Sequence, residues 1–165
     1  LLQAASRFLY GLPDYDLIIA GDGPQRSELE SQVRELDIAS RVHFLGFRPD
    51  LHDVMAASQM VVLASKWEGM PNVLMEAMAL SKPVISLSAE GVRELLHDTN
   101  PIQLVPRHDL EAFANSILHI AQDPLLATSI GQQNRQRIQQ HFSLRTMVNA
   151  YEQLYLSLAM NTASR

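Results

Sequence analysis

The chain alternates short apolar runs with segments of helical periodicity, and this alternation predicts its fold class. The apolar runs are DLIIA (16–20), VHFLG (42–46), MVVLA (60–64), PVISL (83–87) and IQLV (102–105). Turn residues bound each run, as is typical of short parallel strands joined by crossover helices. We therefore predict an α/β fold with a Rossmann-like parallel sheet flanked by helices. Further helices are predicted over about 1–10, 109–122, 124–140 and 144–160.

Length and composition set limits on what such a domain can do. The 165 residues favour one domain, 1–165, that can bury a substantial core. The net charge of −5 leaves no broad basic surface, so we expect no nucleic-acid partner. Cysteine is absent, which excludes thiolate metal sites. The sequence starts with Leu and reads at once as the middle of a helix, so we expect the natural polypeptide to begin further upstream.

Two carboxylates stand eight positions apart in the segment EGMPNVLME (68–76). Because this segment follows the strand at 60–64, Glu68 is expected in a loop at the carboxyl edge of the sheet, where parallel sheets bind ligands. The next helix should begin near Asn72, whose backbone N–H is among the unsatisfied donors that favour a phosphate. Glu76 would then lie about one turn into that helix.

Carboxylates beside an anion site need a ligand that offers hydroxyl groups. A carboxylate accepts two hydroxyl hydrogen bonds as a fork, so the pair predicts a phosphate with hydroxyls on both sides, as in a nucleotide-sugar. The alternative is that both are ordinary solvated surface residues. The surroundings of Glu76 argue against this alternative. In VLMEAMAL its sequence neighbours are apolar, and a carboxylate among apolar residues needs a hydrogen-bond partner or a ligand.

The residues beyond this segment resemble a known family. EGMPNVLMEAMALSKPVI is similar to the E-x7-E signature of family 4 retaining glycosyltransferases of the GT-B fold, the glycosyl transferases group 1. Further matching segments follow the expected order and cover nearly the whole chain: IIAGDGPQRSELE, RVHFLGFRPD, SQMVVLASKWEG, GVRELL and LVPRHDLEAFANSI. The resemblance implies one half of a GT-B fold, the donor-binding carboxy-terminal domain. Its partner would be its own amino-terminal domain, which binds the acceptor.

The resemblance also assigns roles to individual residues. Glu76 would bind the ribose hydroxyls, and Glu68, the catalytic candidate, would contact the donor sugar. Donor contacts are further implied at Gly69, Met70, Asn72, Val73 and Leu74 and, around the nucleotide base, at Leu45, Gly46 and Phe47. Metal ligands and cofactors are not expected, because family members of this type generally work without a metal.

The implied reaction transfers a hexose from a UDP- or GDP-sugar to a hydroxyl of a glycan or lipid-linked acceptor, with retention at the anomeric carbon. Products would be lipopolysaccharide or another cell-surface polysaccharide. The resemblance implies a cytoplasmic protein, with peripheral association at the inner face of the membrane. Two alternatives stay open: a non-catalytic nucleotide-sugar-binding module that regulates or scaffolds a partner, and a GT-B epimerase of nucleotide-sugars.

Departures from the family pattern also lead to expectations. The strand and the Arg/Lys loop that normally open this domain are absent, so we expect the chain alone to turn over no donor. The strands at 16–20 and 60–64 would then be separated by a gap or paired directly. Ser81 replaces a usual Gly and suits a left-handed helix cap less well. Glu90 replaces the first Gly of a usual pair in a loop on the binding face, where its carboxylate is expected either to weaken donor binding or to face solvent without effect.

A few remaining residues receive plainer interpretations. GDGP (21–24) is predicted to be a tight turn into a helix, and His43 a packed or edge residue of a strand. Trp67 is interpreted as an anchor for the loop that carries Glu68. Lys66 and Arg48 are candidate cations for phosphate.

Overall fold

A computed structural model of the chain describes residues 1–96 and 101–163, and within them it has the predicted α/β architecture. The strands are β1 Leu17–Ala20, β2 Val42–Gly46, β3 Val61–Leu63, β4 Val84–Leu87 and β5 Leu104–Val105. The helices are α1 Leu2–Gly11, α2 Arg26–Glu35, α3 Leu51–Ala57, α4 Asn72–Ala79, α5 Glu90–Leu96, α6 Leu110–Gln122, α7 Pro124–His141 and α8 Leu144–Ala163. Short 3-10 helices cover Ala39–Arg41 and Pro101–Gln103.

The strands form two parallel sheets that are not hydrogen-bonded to each other. β1 pairs with β2, with Leu17 opposite Val42, and β3, β4 and β5 form the second sheet in that order. Since β1 and β3 belong to different sheets, the first of the two expected arrangements, a gap between them, is the one observed.

One apolar core nevertheless spans both sheets. Leu17 of β1 and Ile85 and Leu87 of β4 lie in the same buried cluster as Phe8 of α1 and Phe113 of α6. The opposite face of the second sheet packs on α3, α4 and α5 and forms another cluster, which includes Val84. Strand β4 is therefore buried on both faces, because alternate side chains enter the two clusters.

The end of α4 is a tight left-handed turn. The N–H of Ser81 donates to the carbonyl of Met78, and the N–H of Lys82 donates to that of Ala77, each at 3.0 Å. These two bonds define a Schellman motif, in which the residue after the cap takes a positive φ. Ser81 has a φ of +59°, so a left-handed conformation is indeed imposed on a residue other than glycine.

Helix α7 crosses directly over this turn. A Cβ placed on Gly131 would lie 2.0 Å from the carbonyl oxygen of Ser81, so only glycine fits at that point. One turn further on, Asn134 is fully buried, and its Nδ2 donates to the carbonyl of Lys82 at 2.9 Å. Asn134 also exchanges hydrogen bonds with buried Gln103, at 2.8 and 3.1 Å. The middle of α7 is thus anchored in the interior rather than solvated.

Several predicted boundaries shift for local reasons. β1 begins at Leu17, one residue later than predicted, and the carboxylate of Asp16 accepts from Arg41 Nε at 2.7 Å. Helix α2 begins at Arg26, so Pro24 lies in the preceding turn and not in the helix. β5 is only Leu104–Val105, because the residues before it form a 3-10 helix.

The last helix lies outside both cores. Every side chain of α8 from 147 to 160 is exposed, although apolar residues recur along it at helical spacing. This apolar stripe comprises Leu144, Met147, Val148, Tyr151, Leu154, Tyr155 and Leu158. Across the described ranges, no helix is both long and apolar enough to traverse a bilayer.

Candidate functional site

The loop between β3 and α4 delivers an uncapped helix start to the carboxyl edge of the second sheet. α4 begins at Asn72, as predicted, and Pro71 before it provides no side-chain hydrogen bond. Among the described residues, no group accepts from the backbone N–H of Asn72 or Val73. These two N–H groups, at the positive end of an eight-residue helix, are available to an anion.

Glu68 is held in this loop by the beginning of α5. Its carbonyl accepts the N–H of Gly91 at 3.3 Å. A Cβ at Gly91 would lie 1.3 Å from the carbonyl oxygen of Gly69, so the two backbones touch where a side chain cannot fit. Glycine is therefore required at position 91 of the Glu90–Gly91 pair, whereas Glu90 is exposed.

An open cleft of about 780 Å³ lies beside Glu68, at the carboxyl ends of β3, β4 and β5. Its polar lining comes from Glu68 in the first loop, Ser88, Glu90 and Arg93 after β4, and Arg107 after β5. Trp67 and Gly69 complete the first wall. Two carboxylates and two guanidinium groups thus face a shared volume, a lining able to bind a ligand with both hydroxyl and anionic groups.

Arg93 and Arg107 are cationic residues that the sequence reasoning did not single out. Their positions in the sequence could have indicated a place at the carboxyl edge of the sheet. Arg107 comes two residues after the apolar run at 102–105, and Arg93 follows the apolar run at 83–87 by six residues. The guanidinium of Arg107 stacks over the ring of Trp67, at 4.9 Å from its centroid, and donates to the carbonyl of Lys66. The side chain of Trp67 is 75% exposed, so its described contact is this one with Arg107 and it is not anchored by burial.

Arg48, predicted as a candidate phosphate ligand, is already paired. Its Nε and a terminal nitrogen donate to the two carboxylate oxygens of Asp50 at 2.7 and 2.5 Å. These hydrogen bonds raise the pKa of Arg48 and lower the pKa of Asp50 from their ordinary values. The charge of Arg48 is thus compensated within its own turn, which leaves Arg93 and Arg107 as the arginines of the cleft.

Glu76 lies one turn into α4, as predicted, but its surroundings differ from those expected. Its side chain is 40% exposed, and Oε2 lies 3.5 Å from Nε2 of His52 on α3. The apolar neighbours Ala77 and Met78 point instead into the core. The expectation that Glu76 is enclosed by apolar groups was wrong, because helical geometry turns adjacent residues to different faces.

The stretch predicted to hold a nucleotide base ends strand β2. Gly46 has a φ of +67°, and its carbonyl accepts the N–H of Gly21 at 2.7 Å, which ties together the ends of β1 and β2. The next residue, Phe47, is 81% exposed. An aromatic face at a ligand-binding edge offers a stacking surface. Leu45 lies half-buried in the strand before it.

The structure brings some of these residues together and leaves others apart. The cleft includes Glu68 and Gly69, whereas Glu76 and the 45–47 stretch lie outside its lining. Trp67, Glu68 and Gly69 lead directly to the free N–H groups of α4. Away from the cleft, His43 binds Asp16 at 2.9 Å and is an edge residue, as predicted. Within the described ranges, no three His, Cys, Asp or Glu side chains group as metal ligands.

Two solved structures share this arrangement. HepE from Anabaena, in complex with UDP-glucose, is 29% identical, with a TM-score of 0.78 over 97% of this chain and 44% of that chain. TarM from S. aureus, in a complex that includes UDP, gives a TM-score of 0.86 over 93% of this chain and 31% of that one. At 19% identity, the likeness to TarM shows the fold alone. The predicted fold is confirmed: parallel strands flanked by helices, as in one part of structures of the GT-B class.

The sequence places the chain in a family within this class. A family model described as "Glycosyl transferases group 1" matches residues 1–123. The lipopolysaccharide core biosynthesis glycosyltransferase LpsE of Rhizobium meliloti is 31% identical over 157 residues, 95% of this chain and 45% of that protein. The UDP-Gal:alpha-D-GlcNAc-diphosphoundecaprenol alpha-1,3-galactosyltransferase of Escherichia coli is 27% identical over 91% of this chain and 39% of its own length. The chain belongs to the glycosyl transferases group 1 and spans less than half of these relatives.

Proposed function

We propose that this chain is the donor-binding domain of a retaining family 4 glycosyltransferase. The enzyme transfers a hexose from a UDP- or GDP-sugar to a hydroxyl of a glycan or lipid-linked acceptor. The observation that carries the proposal is the uncapped start of α4, where the N–H groups of Asn72 and Val73 have no acceptor in the described part of the chain and a carboxylate stands on either side.

Each part of the donor has a matching group at the carboxyl end of β2 or of β3. The N–H groups of Asn72 and Val73, with Gly69, Met70 and Leu74 beside them, bind the diphosphate and sugar hydroxyls. Glu68 contacts the transferred sugar, and Glu76 accepts from the ribose hydroxyls. The base lies against the stretch Leu45, Gly46 and Phe47, with the exposed ring of Phe47 available for stacking.

Transfer breaks the bond between the anomeric carbon and the diphosphate oxygen and forms one to the acceptor oxygen. The diphosphate leaves as an anion, so donors aimed at the developing charge lower the barrier. The start of α4 provides two such donors, the backbone N–H groups of Asn72 and Val73. No metal or cofactor is required by this scheme.

The relatives support particular substrates. HepE is solved with UDP-glucose, and the Escherichia coli relative is named for UDP-Gal, so UDP is the preferred base in our proposal. The names of LpsE and of the Escherichia coli enzyme favour lipopolysaccharide or another lipid-linked glycan as the product. The acceptor would be bound by an amino-terminal domain of the same polypeptide, at the cytoplasmic face of a membrane.

A second candidate is a binding module that holds a nucleotide-sugar without transferring it. The position of Glu90 favours it, because this exposed carboxylate lines the same cleft as Glu68. Like charge near a diphosphate opposes its binding, and its effect depends on how well water screens it. Release of free nucleotide only when an acceptor is added separates transfer from mere binding.

Saturation-transfer NMR with UDP, GDP and ADP tests donor binding directly. We expect a signal from UDP that is lost in Glu76→Ala and retained in Glu152→Ala, which removes an exposed carboxylate from α8. Because weak binding is sufficient for this method, it detects the site before turnover is optimised. Silence from all three nucleotides in the intact, folded polypeptide would refute the proposal, and an unchanged signal in Glu76→Ala would remove Glu76 from the site.

A further inference from the structure

The loop that carries Glu68 is restrained over four consecutive residues by two other parts of the chain. From one side, Arg107 donates to the carbonyl of Lys66 and stacks over the ring of Trp67. From the other side, the backbone of Gly91 contacts Glu68 and Gly69. The contact of Gly91 joins backbone to backbone, whereas the contacts of Arg107 depend on the chemistry of its side chain.

We propose that Arg107 is a positioning residue for the transfer reaction and acts through Trp67. Its guanidinium holds residues 66 and 67, and thereby sets where the adjacent carboxylate of Glu68 meets the donor sugar. This inference rests on the proposed function, because it assigns Arg107 a part in presenting a group that contacts the donor. Arg107 touches the loop and not the reacting atoms.

The contacts of Arg107 are directed at the loop. Its Nε is buried and has no hydrogen-bond partner among the described residues, so the guanidinium leaves one donor unsatisfied in this position. The described contacts of the side chain, the ring of Trp67 and the carbonyl of Lys66, both belong to the loop. A planar guanidinium is needed for this combination, because a lysine ammonium cannot lie flat on the indole while donating sideways.

Arg93 provides a matched control. It lines the same cleft and carries the same charge, but it does not stack on Trp67. If the charge of the cleft were what mattered, loss of either arginine would have similar effects. If position is what matters, only the loss of Arg107 should displace Trp67.

The first readout is the indole N–H signal of Trp67, the one tryptophan among these 165 residues. In the intact polypeptide it is assigned by its disappearance in Trp67→Tyr. We expect Arg107→Ala to shift and broaden this signal, because the ring loses its stacked partner, whereas Arg93→Ala leaves it in place. An unmoved signal in Arg107→Ala refutes the restraint, whatever the activity of the enzyme.

The second readout is the split between kcat and KM in the intact enzyme. We expect kcat of Arg107→Ala to fall about ten- to a hundredfold, as for small misplacements of reacting groups, with the donor KM changed by less than about threefold. Arg107→Lys should not restore kcat, whereas Trp67→Tyr should retain more of it than Trp67→Ala. Adding Arg107→Ala should lower kcat by a smaller factor in Trp67→Ala than in the wild type, since the stacking contact is already lost and only the hydrogen bond to Lys66 remains to be removed.

The outcomes separate the two proposals. A shifted indole signal with an unchanged kcat would leave the contact real but overturn its role in positioning. An equal loss of kcat in Arg93→Ala and Arg107→Ala would assign the effect to charge and also overturn it. If the wild-type polypeptide transfers no sugar with any donor and acceptor, the proposed function fails, while the indole result still decides whether Arg107 holds the loop.

Discussion

Replacing Ser81 with glycine should stabilise the domain. Ser81 has a φ of +59° at the Schellman turn that ends α4, where a residue with a Cβ costs about 1–2 kcal/mol more than in a right-handed conformation. Glycine removes that strain but gains roughly 0.5–1 kcal/mol of conformational freedom in the unfolded chain. The net expectation is a gain of about 0.5–1 kcal/mol in the free energy of unfolding.

Chemical denaturation with urea measures this difference, and the midpoint should rise without a change in slope. The control is Ser6→Gly, which makes the same chemical change inside the right-handed helix α1 and should lower stability by about 0.5 kcal/mol. Asp37, with a φ of +55° after α2, offers an independent repeat of the test. The reasoning would be refuted if Ser81→Gly lost as much stability as Ser6→Gly.

Three further perturbations follow from the contacts described. Gly91→Ala should abolish nucleotide binding, because the new Cβ would overlap the carbonyl oxygen of Gly69. In the control Gly23→Ala the new Cβ has no atom within 4 Å, so this variant should fold and bind normally. Equal nucleotide affinities of the two variants in NMR titrations would contradict this prediction. Asn134→Ala should cost ~3 kcal/mol in urea denaturation, since buried hydrogen-bonding groups lose their partner; a loss below ~1 kcal/mol would contradict it. The hydrogen bond from Arg41, and after it the one from His43, lowers the pKa of Asp16. These hydrogen bonds therefore stabilise the fold at pH values above the pKa of Asp16 in the unfolded chain, which is about 4. That contribution is lost as the pH falls through the lower folded pKa, and Asp16→Asn should flatten this acid dependence of the melting temperature.

The sequence predicted the elements well because their signals are local. The apolar run at 42–46 is strand β2 without any shift, and the helix expected near Asn72 begins there. Helix α5, of seven residues, was not predicted as a helix. Local patterns were also sufficient to place Glu68 in a loop and Glu76 in a helix, because the residues next to each one indicate the element it belongs to.

The chemistry around those carboxylates could not be read in the same way. Arg107 meets Trp67 across forty positions of sequence, and only the parallel order of β3, β4 and β5 brings their loops together. Glu76 seemed enclosed because its sequence neighbours are apolar, but the neighbour that matters, His52, comes from α3. Contacts between elements depend on packing, and periodicity contains no information about which element packs where.

The position of β4 has a consequence for how the domain opens. This strand is buried on both faces and is hydrogen-bonded to β3 on one side and to β5 on the other. Local opening of proteins starts where few contacts hold the backbone, so amide exchange should be slowest in β4. The loops after β3, β4 and β5, which line the cleft, would then keep their common base while the periphery of the domain opens transiently.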